Sequence, residues 1–282
     1  MQRYLSKAVT VMIRALLGAC FFWGFIHTAT AANDVEQVDS LVSARLDNGL
    51  EQQGVLTMVK GDAPSMLVLL FPGEPSVLKA EIVESKLMKT RVGGNPLVRA
   101  RSLLVRPGVG TVLIDCRSDQ EEQCKESYVM SKDRFEDVRR LTSQLRQALP
   151  GVKKIWLVGH SFGSLASASL ARYGDSVFDG AIHVSTILSG KASYRSLVGF
   201  DFSIARVPQL FIHHRHDPCP GTPFSAVESA AARYKVALVA ISDANATQGA
   251  ACGPFSEHGF AGAERVLMQT ISDAVEHGVN RR

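Results

Sequence analysis

The feature that most constrains this chain is a turn of small residues centred on Ser161. The run Gly-His-Ser-Phe-Gly at positions 159–163 places a glycine two residues before this serine and another two residues after it. A strand-forming segment, Lys154–Gly159, leads into the turn, and a helix-forming segment, Ser164–Tyr173, leads out of it. A tight strand-to-helix turn exposes the central hydroxyl, while the glycines let neighbouring backbone pass close by. The pattern favours a nucleophilic serine over an incidental one.

Buried strands and helices alternate along the rest of the chain. A loosely alternating segment, Ser40–Val59, carries a turn signal at 47–49 and predicts an antiparallel hairpin. Apolar runs predict the strands Ser65–Phe71, Gly110–Asp115, Lys154–Gly159, Ala181–Leu188, Gln209–His213 and Val236–Ile241. The predicted helices are Leu97–Leu104, Asp133–Leu149, Ser164–Tyr173, Val227–Tyr234 and Glu264–Val275. This order predicts an α/β fold, with a mostly parallel central sheet and helices on both faces, whose functional residues lie at the carboxyl ends of the strands.

The N-terminal segment has the three parts of a secretory signal. Arg3 and Lys7 precede a short apolar run, 15–26, and small residues follow that run. We expect cleavage after Ala31 or Ala32. This predicts a periplasmic or secreted protein.

The expected organisation is therefore a signal peptide, residues 1–31, followed by one domain, residues 32–282. One alternative is an uncleaved membrane anchor, but the apolar run is shorter than the ~20 residues that a membrane span needs. A second alternative is a lipoprotein attached through Cys20, although the residues after this cysteine stay strongly apolar.

Charge balance argues against a nucleic-acid partner. The three charged residues of the leader are all basic, so the remainder of the chain has 28 basic and 27 acidic residues. Nearly balanced charge gives no electrostatic attraction for a polyanion. We expect no nucleic-acid partner and no stable membrane insertion after cleavage, and the oligomeric state stays open.

A serine hydroxyl is a weak nucleophile unless a base accepts its proton. Seven histidines follow the leader. Three of them have structural interpretations, within the turn, within a predicted buried strand and at the end of the last helix: His160, His183 and His277. The candidates that remain are His213, His214, His216 and His258.

These pieces together resemble the α/β-hydrolase fold superfamily over the chain from about Ser40 onward, and in particular small exported bacterial hydrolase-like proteins. The resemblance is carried by the turn at 159–163 and by three further pieces: Phe71-Pro72-Gly73, His213-His214-Arg215-His216-Asp217 and Cys252-Gly253-Pro254 with His258-Gly259-Phe260. The family's order of serine, acid and histidine implies that Ser161, Asp217 and His258 form a catalytic triad. Asp243, just after the last predicted strand, is the alternative acid.

An oxyanion hole requires two backbone N–H groups. The residue after the nucleophile, Phe162, supplies one, and the loop after the strand Ser65–Phe71 supplies the other, for which Gly73 is the candidate. Pro72 has no N–H to donate. The chain departs from the family pattern here, because Phe71-Pro72 stands where the family has His-Gly before the donor. Glu74 follows the candidate donor, and a carboxylate beside the hole opposes the negative charge that develops there.

Four cysteines follow the leader, and an even number in an exported chain indicates two disulfides. Three pairings are possible. We favour Cys116 with Cys124, which closes a short local loop, and Cys219 with Cys252. The second pair links the loops that carry the proposed acid and base.

We expect no cap domain, because only about 20 residues, 189–208, separate the two strands between which caps often lie. The expected function is that of a serine acyl hydrolase, esterase-like, with a small-molecule acyl substrate and no cofactor or metal. One alternative is a non-catalytic exported binding module. Another is a metal-dependent hydrolase, since His214 and His216 alternate along a strand and can share a face.

Overall fold

The computed structural model describes residues 35–47, 49–174, 176–190, 196–243 and 247–279. The expected signal peptide and its cleavage site lie outside these residues, so that prediction stays a prediction. Among the described residues, no helix is long and apolar enough to cross a membrane.

A large twisted sheet and a small separate hairpin contain the strands. Their bounds are β1 Gln37–Arg45, β2 Glu51–Val59, β3 Met66–Phe71, β4 Glu81–Val83, β5 Lys86–Lys89, β6 Val109–Arg117, β7 Lys154–His160, β8 Gly180–Val184, β9 Gln209–His214 and β10 Ala237–Ile241. The large sheet has the order β1-β2-β6-β3-β7-β8-β9-β10. The ladders β1–β2 and β2–β6 are antiparallel, and every ladder from β6 to β10 is parallel. The predicted entry hairpin and mostly parallel sheet are therefore confirmed.

Helices cover both faces of the large sheet. Their bounds are α1 Pro96–Arg99, α2 Glu126–Val129, α3 Lys132–Ala148, α4 Gly163–Tyr173, α5 Phe224–Tyr234 and α6 Glu264–His277. The apolar sides of α3, α4 and α5 pack on one face, and those of α1 and α6 pack on the other. Strands buried from both sides have uninterrupted apolar sequences, as in β3, where all six residues are buried. The predicted α/β fold is confirmed.

The order of the strands brings four loops to one edge of the sheet. The chain passes from β3 to β6 on one side of β3 and then returns to β7 on the other side. A crevice forms where strand order reverses in this way, outside the carboxyl ends of the strands. The loops after β3, β7, β9 and β10 all leave the sheet at this edge, and they carry the residues singled out in the sequence.

Two predicted elements differ in the structure. The strand predicted as Ala181–Leu188 ends at Val184, because Ser185 adopts a positive φ of 44° and turns the chain away from the sheet. The helix predicted over Leu97–Leu104 is shorter, with α1 followed by a separate 3-10 turn, Arg101–Leu103.

The sequence patterns do not predict the small hairpin formed by β4 and β5 or the short helix α2. The hairpin strands have three and four residues, too few to show alternation. Long-range contacts hold the hairpin instead: Asp39 of β1 donates its N–H to the Ser85 carbonyl at 2.8 Å, and its carboxylate accepts from the Leu87 N–H at 2.7 Å.

Candidate active site

Ser161 stands at the top of a strained turn between β7 and α4. Its φ is 55°, a left-handed conformation that is uncommon for a residue with a side chain, and its N–H donates to the Val184 carbonyl at 3.0 Å. A Cβ on Gly159 would lie 2.1 Å from the Gly163 carbonyl oxygen, and a Cβ on Gly163 would lie 2.0 Å from the Phe71 carbonyl oxygen. Both positions therefore require glycine, and the half-buried serine hydroxyl is presented at the edge of the sheet.

His258 reaches this hydroxyl from the loop after β10. Its Nε2 lies 2.9 Å from Ser161 Oγ. The histidine occupies a 3-10 turn, Glu257–Gly259, and a Cβ on Gly259 would lie 1.9 Å from the Pro254 carbonyl oxygen. The tight turn fixes the backbone from which the imidazole projects.

Asp217 lies on the far side of the imidazole, in the loop after β9. The Nδ1–H of His258 donates to Asp217 Oδ2 at 3.0 Å, and the carboxylate is fully buried. Its Oδ1 accepts from the Cys219 N–H at 2.9 Å, while its Oδ2 also accepts from the Thr222 hydroxyl at 2.8 Å. The structure thus brings Ser161, His258 and Asp217 into one continuous chain of hydrogen bonds.

Burial alone would raise the pKa of Asp217, but hydrogen bonds from His213 and His258 outweigh it and hold that pKa well below its ordinary value. The Nε2 of His213 lies 3.3 Å from Asp217 Oδ2 and donates to the Thr222 carbonyl at 2.8 Å. The carboxylate therefore carries a negative charge behind the imidazole. Asp243, the alternative acid, is exposed, and the carboxylate that bonds His258 is that of Asp217.

A second layer of polar side chains holds the backbone of His258. The Asn95 amide donates to His160 Nδ1 at 3.0 Å, which leaves the proton of His160 on Nε2, and this N–H donates to the His258 carbonyl at 2.9 Å. The Ser185 hydroxyl donates to the same carbonyl at 2.9 Å. The sequence patterns give His160 a structural role within the turn, but they do not indicate Asn95 or Ser185.

Two histidines are buried in a neutral state. Burial lowers the pKa of His160 to about 3 and that of His183 to about 4. His183 lies in β8, with its Nδ1 2.7 Å from the Ser167 hydroxyl and its Nε2–H donated to Gln209 Oε1 at 3.2 Å. Each imidazole has partners that suit the neutral ring.

These pKa values predict a loss of stability in mild acid. Between pH 6.5 and pH 4 the unfolded chain binds more protons at His160 and His183 than the folded chain, so the free energy of unfolding falls as the pH falls. Each histidine contributes about 1.4 kcal/mol per pH unit within this window. Urea unfolding at a series of pH values measures the slope. We expect His183→Gln to reduce this slope by the equivalent of about one bound proton. An unchanged slope would contradict the neutral assignment of His183.

The backbone expected to form the oxyanion hole adjoins the serine. A Cβ on Gly73 would lie 3.4 Å from Ser161 Cβ, so the loop after β3 passes directly beside the hydroxyl. Phe162 directly precedes α4, and its N–H therefore belongs to the helix N-terminus, which favours negative charge. Both residues adjoin Ser161, and their role as oxyanion donors stays a prediction.

A cleft of about 310 Å³ opens over Ser161 and His258. The long segment after β3 contributes to its walls. The lining residues from this segment are Gly73, Glu74, Pro75, Arg91, Val92, Gly94 and Asn95. Cys252 and Pro254, from the loop that carries the histidine, complete the opposite wall.

Both favoured cysteine pairs lie at bonding distance. The sulfur atoms of Cys116 and Cys124 are 1.91 Å apart, and those of Cys219 and Cys252 are 2.02 Å apart. The second bridge joins the loop of Asp217 to the loop of His258. It limits the separation of the acid and the imidazole.

The histidines at the end of β9 and just after it lie in separate environments. His213 points to Asp217, whereas the rings of His214 and His216 lie 6.0 Å apart. Within the described part of the chain, no group of three or more histidine, cysteine or acidic side chains is arranged to hold a metal ion.

Comparison with solved structures identifies the fold. The neighbours include XC6422 from Xanthomonas campestris, described as an a/b serine hydrolase without lid, with 17% identity, a TM-score of 0.54 and coverage of 86% of this chain and 94% of that one. They also include a dienelactone hydrolase from Anabaena variabilis, with 17% identity, a TM-score of 0.57 and coverage of 86% and 99%. Est1E from Butyrivibrio proteoclasticus has 15% identity, a TM-score of 0.53 and coverage of 84% and 98%.

These similarities, together with the strand order, show that the chain has the α/β-hydrolase fold. No cap domain is present among the described residues. No protein-family model and no curated protein sequence matches the chain.

Proposed function

We propose that this protein is a serine-dependent acyl hydrolase, esterase-like in its preference, that acts on a small or medium substrate. The observation that carries the proposal is the continuous chain from Ser161 Oγ through His258 to the charged Asp217, at 2.9 Å and 3.0 Å. A strained turn, a buried carboxylate and a correctly oriented imidazole are costly to assemble without a function. The neighbouring structures with serine hydrolase or esterase in their descriptions agree with this reaction class.

In the proposed reaction, His258 Nε2 accepts the proton of Ser161 as the hydroxyl oxygen attacks the acyl carbon. The charged carboxylate of Asp217 stabilises the imidazolium that results and keeps the Nδ1–H directed at itself. The N–H groups of Gly73 and Phe162 then stabilise the tetrahedral oxyanion. His258 returns the proton to the leaving group, and the same sequence with water as the nucleophile hydrolyses the acyl-enzyme.

The open cleft limits the substrate class. Because no cap among the described residues covers Ser161 and the cleft measures about 310 Å³, a small acyl group enters without the movement of a large lid. This supports esters of small or medium acids, with amides as the slower alternative.

We further propose that the protein acts in the periplasm or outside the cell on a small-molecule substrate. The leader composition and the two disulfides support an oxidising compartment. The mass of the protein recovered from the periplasm of an expressing bacterium tests this, since cleavage would leave a chain that begins at Ala32 or Asn33. Recovery of the uncleaved chain from the membrane fraction would contradict it.

Hydrolysis of p-nitrophenyl acetate and butyrate tests the proposed reaction. We expect a burst of p-nitrophenol equal to the amount of protein, because an activated ester acylates Ser161 faster than water hydrolyses the acyl-enzyme. The same assay in EDTA separates a metal-dependent hydrolase from the proposed one, and we expect EDTA to leave the rate unchanged. The absence of p-nitrophenol release above the rate of the Ser161→Ala variant would contradict the proposal.

A further inference from the structure

Glu74 places a carboxylate at the edge of the candidate active site. It directly follows Gly73, whose backbone lies beside Ser161, and this exposed residue is one of those that line the same cleft as Ser161 and His258. Its Oε1 accepts a hydrogen bond from the side-chain amide of Gln123. This amide belongs to the loop that the Cys116–Cys124 bridge closes.

The charge of this carboxylate has no cationic partner among the residues that the structure describes. Burial raises the pKa of Glu74 above its ordinary value, and the neutral amide of Gln123 offsets this in part. The other charged side chain on the cleft wall, Arg91, pairs with Glu122 at 2.9 Å, and Glu122 also pairs with Lys79 at 3.0 Å. Of the two charged side chains on the described cleft wall, Glu74 is therefore the one without an oppositely charged partner.

A lone carboxylate here opposes the proposed reaction. The transition state of acyl transfer gathers negative charge beside Gly73, and a second negative charge nearby raises its energy in a partly desolvated cleft. A positive charge on the substrate removes this penalty, because it pairs with Glu74 and also lies close to the developing oxyanion. The remaining walls suit a carbon skeleton, since Pro75, Val92 and Pro254 line the same cleft.

We propose that the protein selects acyl substrates with an ammonium group near the scissile bond, and that Glu74 binds that group. This inference rests on the proposed function, because it names the substrate class of the same site. Glu74 is then a specificity-determining residue. It recognises positive charge at the cleft and takes no part in proton transfer.

Two thioesters of the same shape, one cationic and one neutral, separate the effect of substrate charge from that of substrate size. Acetylthiocholine has a trimethylammonium group where S-(3,3-dimethylbutyl) thioacetate has an uncharged tert-butyl group. We expect the wild-type protein to favour the cationic thioester by about fivefold in kcat/KM, the size of a partly exposed charge pair. The preference should fall as the pH falls, because protonation of Glu74 removes its charge.

Glu74→Gln keeps the size of the side chain and an oxygen that accepts from Gln123. We expect it to bring the ratio of the two kcat/KM values to about one while hydrolysis of the neutral thioester is retained or improved. Glu121→Gln is the matched control, since this exposed carboxylate lies in the neighbouring loop and outside the cleft wall, and it should keep the wild-type ratio. Equal rates in the wild type, or an unchanged preference in Glu74→Gln, would overturn the inference.

Phosphonylation of Ser161 distinguishes a failure of the inference about Glu74 from a failure of the proposed function. If neither thioester is cleaved but a fluorophosphonate labels Ser161, the labelling rates of a cationic phosphonate and its neutral isostere replace the two kcat/KM values. Faster labelling by the cationic phosphonate in the wild type, but not in Glu74→Gln, supports the role of Glu74. Equal labelling rates by the two phosphonates in the wild type overturn it. If Ser161 is not labelled and no ester is cleaved, the proposed function and this inference both fail.

Discussion

Replacing Ser161 with alanine is expected to lower kcat for p-nitrophenyl ester hydrolysis by about 10⁴-fold or more. The substitution removes the atom that forms the acyl-enzyme and leaves only binding and oxyanion stabilisation. His258→Ala should lose a similar factor, because no other described side chain accepts the proton from Ser161 Oγ. The double variant should lose little more than either single one, since the two residues act as a unit.

Steady-state kinetics on the four proteins, with circular dichroism to verify folding, measures this effect. Ser229→Ala is the matched control, because this exposed serine of α5 donates its hydroxyl to Ser225 of the same helix at 2.8 Å. It should keep the wild-type kcat. Wild-type activity in Ser161→Ala would contradict the assignment of the nucleophile.

The second large effect is expected at Asp217. Asp217→Asn should lower kcat by about 10⁴-fold near neutral pH, because an amide neither stabilises the imidazolium nor holds the Nδ1–H tautomer of His258. Burial increases the expected loss of kcat, because the Asp217 carboxylate is 0% exposed and water does not reach this position to stabilise the imidazolium in its place. KM should change much less than kcat, since Asp217 does not line the cleft.

Asp243→Asn is the matched control for the assignment of the acid. This exposed residue follows β10 and is the other acid in the expected order, so its substitution should leave kcat within about twofold of the wild type. Kinetic constants for both variants, measured on preparations with equal urea midpoints, separate the two acids. A large loss in Asp243→Asn with a small loss in Asp217→Asn would reverse the assignment.

Local sequence patterns predict the scaffold of this site well. The run at 159–163 predicts a strand-to-helix turn because only glycine fits where a Cβ would come within 2.1 Å of a carbonyl oxygen. Likewise, the uninterrupted apolar residues of β3 predict a strand buried on both faces. Once the strands are parallel, their carboxyl ends bring the loops of Ser161, Asp217 and His258 to one edge.

The supporting contacts depend on packing between distant segments, and local patterns do not contain them. Asn95 lies 65 residues from His160, and His160 lies 98 residues from the carbonyl that it holds. No periodicity links such positions. The hairpin of β4 and β5 is not predicted for a related reason, since hydrogen bonds from Asp39 of β1, distant in sequence, help to hold its short strands.

Intact-mass analysis after treatment with a fluorophosphonate is the most direct test of an activated serine. The sample consists of residues 32–282 with both disulfides formed, and it is compared with the Ser161→Ala and His258→Ala variants. We expect one adduct on the native protein and none on either variant, because phosphonylation requires both the hydroxyl and the base. No adduct on folded, disulfide-intact protein, or an adduct that persists in Ser161→Ala, would contradict a serine hydrolase that acts through Ser161.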